Sequence, residues 1–111
     1  MRNFKELKIW QKGFQIAVNS FKLTSAFPKK EKFGMTVQIT RAAVSIASNI
    51  AEGSIRSSER DYNRFIEISL ASSFELETQL LIAAAANYGN KEIRNEILKD
   101  VDEEQRCLSA S

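Results

Sequence analysis

The sequence predicts an all-α protein of one domain, spanning 1–111 and folded as an antiparallel up-down-up-down four-helix bundle. Three observations carry this. Apolar residues recur at helical spacing in four stretches. The connections between those stretches are short and hold Pro28, Gly34, the Ser54 to Ser58 run and Gly89. The stretch from Gln38 to Gly53 carries Ile, Val and Ala on two helical faces, as a helix touching neighbours around most of its circumference would.

Size and composition bound the function. The chain of 111 residues has room for one core, with 43% hydrophobic and 27% charged residues. No apolar run approaches the roughly 18 to 20 residues that span a bilayer, and the charged start Met1-Arg-Asn-Phe-Lys-Glu lacks the apolar centre of a signal peptide. No membrane association and a cytoplasmic setting are expected. A single cysteine, Cys107, and the absence of histidine exclude an intrachain disulfide and the usual triads and zinc sites. No cofactor is expected. The net charge of +2 conceals an asymmetry: residues 1–41 hold nine Lys/Arg against two Glu, and residues 42–111 hold seven against twelve acids. Such a polarity suits pairing between copies of the chain, or contact of the basic end with phosphate.

The first helix is expected over about 7–27. Leu7, Trp10, Phe14, Ala17, Val18 and Phe21 share one arc, while Ile9, Ile16, Leu23 and Phe27 form a second. Together they exceed the stripe that a surface helix of a monomer needs, which points to an additional partner. Lys8, Lys12, Gln15, Asn19 and Lys22 make a basic face, explained either by solvation or by binding. Pro28 ends the helix, and a basic turn with Lys29, Lys30 and Lys32 follows.

The second helix is expected over about 31–52, its start blurred by Gly34, with Gly53 as a left-handed stop. Ile39, Ala43, Ile46 and Ile50 make one stripe, and Val37, Val44 and Ala51 another. Ser58 followed by Glu59, Arg60 and Asp61 reads as an N-cap with acids in the first turn of a third helix, about 59–87. Its wide apolar arc includes Leu70, Leu76 and Leu80, with Glu77 falling inside it. Gly89 is the expected stop. The last helix, about 91–108, carries a thin stripe of Ile93, Ile97, Val101 and Leu108, with Glu104 placed among its charged faces.

One polar constellation stands out: Arg41, Glu52, Glu75 and Glu77 on the second and third helices. A carboxylate on a buried arc needs a partner, and the donors of Arg41 suit either Glu77 or Glu75. Glu75 and Glu77 lie about 200° apart on a helix and cannot share a catalytic site. With no histidine for a di-metal centre of the bundle type, neither a metal nor a catalytic residue is expected. The serines before the third helix, with Arg56, offer a weaker anion-binding alternative to simple capping.

The stretch Gln38-Ile-Thr-Arg-Ala-Ala-Val-Ser-Ile-Ala-Ser-Asn-Ile-Ala-Glu-Gly-Ser54, with Arg56-Ser-Ser58, Arg64-Phe65 and Glu75-Leu-Glu-Thr-Gln-Leu80, resembles the four-helix bundle proteins encoded in intervening sequences of bacterial 23S rRNA genes. Leu7-Lys-Ile-Trp-Gln-Lys12 and Phe27-Pro28 extend the likeness over residues 4 to about 88. The family carries a proline where this chain has Ala47, so any kink there should be weaker. The chain is also similar to the accessory bundle protein of diversity-generating retroelements. These resemblances imply a bundle assembled as a ring, a homopentamer, and binding of RNA or DNA through a basic surface. Lys8, Lys12, Lys22, Lys29, Lys30 and Lys32 are the candidate phosphate contacts. The competing expectation is a structural or protein-interaction module that binds a protein partner and no nucleic acid.

Overall fold

The computed structural model describes residues 2–110, and among them the secondary structure is helical, without strands. Four α-helices follow one another: α1 (Lys8–Thr24), α2 (Met35–Ser54), α3 (Glu59–Ala85) and α4 (Lys91–Ser109). Short 3₁₀ turns at Phe4–Glu6 and Lys29–Glu31 precede α1 and α2. Each helix packs against two others: α2 lies between α1 and α3, and α4 closes the opposite side against the same two. The arrangement is compatible with a helical bundle.

Local chemistry explains where each helix stops. α1 ends at Thr24, three residues before the expected Phe27, because its last turn tightens: Ala26 N–H donates to the Leu23 carbonyl and Phe27 N–H to that of Thr24. Thr24 and Ser25 hydroxyls donate to the carbonyls of Phe21 and Lys22, satisfying groups that a longer helix would have used. α2 begins at Met35 rather than near 31. Gly34 (φ −108°, ψ −108°) breaks the chain direction, and the Glu31 carboxylate turns back to accept Met35 N–H at 3.3 Å.

Two glycine expectations need correction. Gly53 does not stop α2; it is buried inside the helix, which runs on to Ser54 and is unbroken through Ala47. A Cβ at Gly53 would lie 2.8 Å from Phe65 Cβ, so the glycine serves the close approach of α3. At the end of α3 the left-handed residue is Asn87 (φ 61°), with Tyr88 N–H donating to the Ala83 carbonyl and Asn87 N–H to that of Ala84. That pair of bonds is a Schellman closure, and Asn tolerates the left-handed conformation better than most side chains. Gly89 (φ +83°) is a second left-handed residue, pressed against Leu23 and Phe27. The expected cap does form at Ser58, whose Oγ accepts Asp61 N–H, and Asn90 caps α4 in the same way through Ile93 N–H.

The core is built from Ile16 and Leu23 of α1, Ile39, Ile46 and Ile50 of α2, Leu76 and Leu80 of α3, and Ile97 and Val101 of α4, all fully buried. Of the two apolar arcs on α1, the one holding Ile16 and Leu23 faces this core; Phe14 and Phe21 of the other arc are half exposed. α2 behaves likewise: its Ile stripe is inside, while Val44 of its second stripe is at the surface. Between α2 and α3 the contact is made by small residues. Ser69 Oγ donates to the Ile46 carbonyl at 2.8 Å, and Ser45 and Ser72 hydroxyls meet at 2.7 Å.

The tightness of that contact is measurable. Gly53→Ala should lower the melting temperature, because overpacking against the rigid Cβ of Phe65 costs about 1–3 kcal/mol, more than the roughly 1 kcal/mol of helix propensity it restores. Thermal denaturation followed by circular dichroism checks this; an unchanged or raised melting temperature would contradict the close approach.

Candidate nucleic-acid interface

The six candidate lysines do not form one surface. Lys12 turns toward α4, where its Nζ lies 2.5 Å from Glu103 Oε2 and 3.7 Å from Asp100 Oδ1. The Glu103 hydrogen bond, opposed by partial burial and aided by Asp100, raises the Lys12 pKa above its ordinary value, and the same bond lowers that of Glu103. Its charge is thus neutralised within the chain. Lys8 opens α1, while Lys22 lies in the last turn, fourteen residues on and so about 21 Å away along the axis.

Lys22, Lys29, Lys30 and Lys32 all lie at the end of the molecule where α1 passes into α2. All four are exposed, and among the described residues none is ion-paired. The connection from α3 to α4 folds against this turn. Phe27 and Tyr88 rings are 5.5 Å apart, and Tyr88 Oη donates to Glu31 Oε2 at 3.2 Å. Lys91, exposed at the start of α4, follows directly from that connection. At the tip stands Phe33, 86% exposed, with Lys32 Nζ 5.4 Å from its ring centre. Sequence reading passed over Phe33; its signal was an aromatic residue flanked by lysines and glycine in a turn, where no helical stripe exists to bury it.

The polar constellation also divides. Arg41 and Glu75 share the lining of one surface hollow with Gln38, Ala42 and Ser45. Glu75 accepts a hydrogen bond from Gln79 at 3.3 Å. Glu77 faces α4 and accepts from Gln105 Nε2 at 2.9 Å, so its partner is not Arg41. The 200° between the two glutamates sends them to different neighbours. Glu52 is exposed on α2. Toward α3, the polar arc of α2 is instead satisfied by the chain Asn49 to Ser45 to Ser72. Arg56 and Ser58 are likewise engaged locally: the guanidinium lies 4.7 Å over the Phe65 ring, and the serine caps α3.

The carboxylate that is deeply buried is Glu104, which the sequence reading had placed on a charged face. It completes the spacing Ile97, Val101, Glu104, Leu108 and is fully buried, with neither oxygen hydrogen-bonded among the described residues. The missing side chain of Gly13 makes room for it: a Cβ there would lie 3.2 Å from Glu104 Oε2. Burial pushes its pKa up to about 8, against the attraction of Lys12 and with the repulsion of Asp100. The group is therefore largely neutral at pH 7. Among the described residues, no group of three or more His, Cys, Asp or Glu is arranged to hold a metal ion, and no helix is long and apolar enough to cross a membrane.

Because the folded chain holds the Glu104 proton more tightly than the unfolded chain, this residue's stability cost is absent below the ordinary carboxylate range. It grows as pH rises toward about 8. Glu104→Met, close in volume and without charge, should raise the melting temperature more at pH 9 than at pH 5, by several degrees. Equal shifts at both pH values, by calorimetry, would show that the carboxylate does not titrate in this range.

No curated protein matches the chain. A crystal structure from Bacteroides thetaiotaomicron, of a protein with unknown function from the S23 ribosomal protein family, superposes with a TM-score of 0.81. The two are 26% identical, over 92% of this chain and 95% of that one. The family model of the 23S rRNA-intervening sequence protein matches residues 5–110, almost the whole chain. The protein belongs to the 23S rRNA-intervening sequence protein family.

Proposed function

We propose that this chain is a non-enzymatic, cytoplasmic accessory protein that assembles as a ring and binds nucleic acid through its lysine-rich end. The observation that carries the reading is the placement of Lys22, Lys29, Lys30 and Lys32 at one end of the molecule, each exposed and without an ion pair among the described residues. Lysines on a turn contact phosphates as point charges and read no sequence. A family name tied to 23S rRNA intervening sequences supports RNA as the first substrate to try. Lys12 drops out of the interface and Lys8 stands apart from it.

The proposed topology is antiparallel, up-down-up-down. Support comes from both ends: Arg2 reaches Ser54 and Glu59 at one, and Tyr88 meets Phe27 and Glu31 at the other. The ring is supported by two exposed apolar faces of different character. One is a groove between α1 and α2, lined by Trp10, Phe14, Phe21, Val44 and Ala47; the other is a ridge on α3 formed by Phe74, Leu81 and Ile82. A ridge on one copy seated in the groove of the next is a head-to-tail contact, which closes into a ring when the rotation permits. The family resemblance implies five copies. These same faces favour the second reading, a structural or protein-interaction module without nucleic-acid binding.

Fluorescence anisotropy with labelled RNA and DNA oligonucleotides separates the two. The wild-type chain should bind at about 50 mM salt and lose affinity steeply toward about 200 mM, through counterion release. Replacing Lys29, Lys30 and Lys32 by Ala should flatten the log–log salt slope by about two to three units. No detectable binding by the wild type at the lower salt would leave only the interaction module.

A further inference from the structure

We infer that Phe33 is a stacking platform for an unpaired base, so that the lysine-rich end takes single-stranded polynucleotide in preference to duplex. The inference rests on the nucleic-acid reading above and specifies its substrate. Phe33 is the most exposed large apolar side chain among the described residues, 86% open to solvent, yet the turn that carries it is firmly built. Glu31 anchors the turn on both sides, accepting Tyr88 Oη with one carboxylate oxygen and Met35 N–H with the other. Gly34 leaves room for this, since a Cβ there would come within 2.9 Å of Glu31 Oε1. With Glu31 drawn inward, Lys32 and Phe33 are held outward, and Lys29 and Lys30 stand exposed one turn earlier.

A planar ring presented beside three cationic side chains matches the chemistry of a single strand: phosphates for the lysines, a base face for the ring. In a duplex the base faces are covered by stacking, so the ring would gain little there. An anionic membrane would also attract the lysines. Insertion into lipid draws on a broad apolar face, however, and this turn offers one aromatic ring.

The test uses the full chain with Phe33→Ala and Phe33→Trp. Binding is read by anisotropy with single-stranded RNA, single-stranded DNA and a duplex of equal length, at about 50 mM salt. Phe33→Ala should weaken single-strand binding by about tenfold or more and leave duplex binding within about twofold, while Phe33→Trp should retain affinity and show fluorescence quenching on binding. If the wild type binds and Phe33→Ala is unaltered, the stacking inference fails while the lysine interface stands. If the wild type binds neither form, both fail. Equal loss on single strand and duplex, a change in sedimentation of Phe33→Ala, or loss of binding to anionic vesicles without loss on RNA or DNA would each overturn stacking in favour of another use of the ring.

Discussion

The close approach of α2 to α3 is the constraint on which the remaining geometry depends. Gly53 against Phe65, and the Ser69 hydroxyl on the Ile46 carbonyl, bring the two backbones near enough that only small residues fit between them. Satisfying a helix carbonyl with a serine from the neighbouring helix also fixes the axial register, which apolar packing alone leaves softer. Once α2 is seated this way, its Ile stripe points into the core and its Val44 stripe points out beside Phe14 and Phe21. The outward groove is thus a consequence of the inward seam.

The contact of α1 with α4 is of a different kind. There Gly13 admits a buried Glu104 that has no hydrogen bond among the described residues, while at the edge Lys12 bridges to Glu103 and Asp100. A half-exposed ion pair contributes modestly, and a buried carboxyl that must keep its proton costs stability wherever the unfolded chain would ionise it. The two seams therefore respond differently to pH. Small-residue packing is indifferent to it, whereas the contribution of the α1–α4 contact falls as pH rises from the ordinary carboxylate range toward about 8, where the unfolded chain has given up the Glu104 proton and the folded chain still holds it. Lys12, tied into that contact, is also withdrawn from any external partner, which leaves Lys22, Lys29, Lys30 and Lys32 exposed at the far end of α1 and Lys8 at its start.

Much of the fold was legible because helical periodicity and capping are local signals. Ser58 announced α3 by its hydroxyl and the acids that follow, and the four stretches appear as four helices. Glycine was harder to read: the same residue type serves a left-handed stop or a close contact, and only the neighbour's position decides between them, as Phe65 does at Gly53. The site was less legible for a related reason. Helical projection places a charge on a face but does not say which helix lies opposite, so Lys12 looked free, Glu104 looked solvated, and the choice of Glu77 or Glu75 for Arg41 stayed open while Glu77 in fact meets Gln105. Phe33 lies outside any helix, where periodicity has nothing to say. The family likeness was carried by the α2 stretch, and the match over residues 5–110 bears it out.

On the reading proposed above, three destinations divide the molecule's contacts: the α2–α3 seam serves its own core, the α1–α2 groove and α3 ridge would serve other copies, and the lysine-rich turn would serve a polyanion. The proposed contact between copies links the other two, because a ring would repeat the basic turn around one assembly. Sedimentation velocity of the full chain at tens of micromolar, repeated over about a tenfold dilution, tests it most directly. A single discrete species several times the 12.6 kDa chain mass, constant across the dilution, is the predicted result. A monomer would contradict it, as would open-ended growth with concentration.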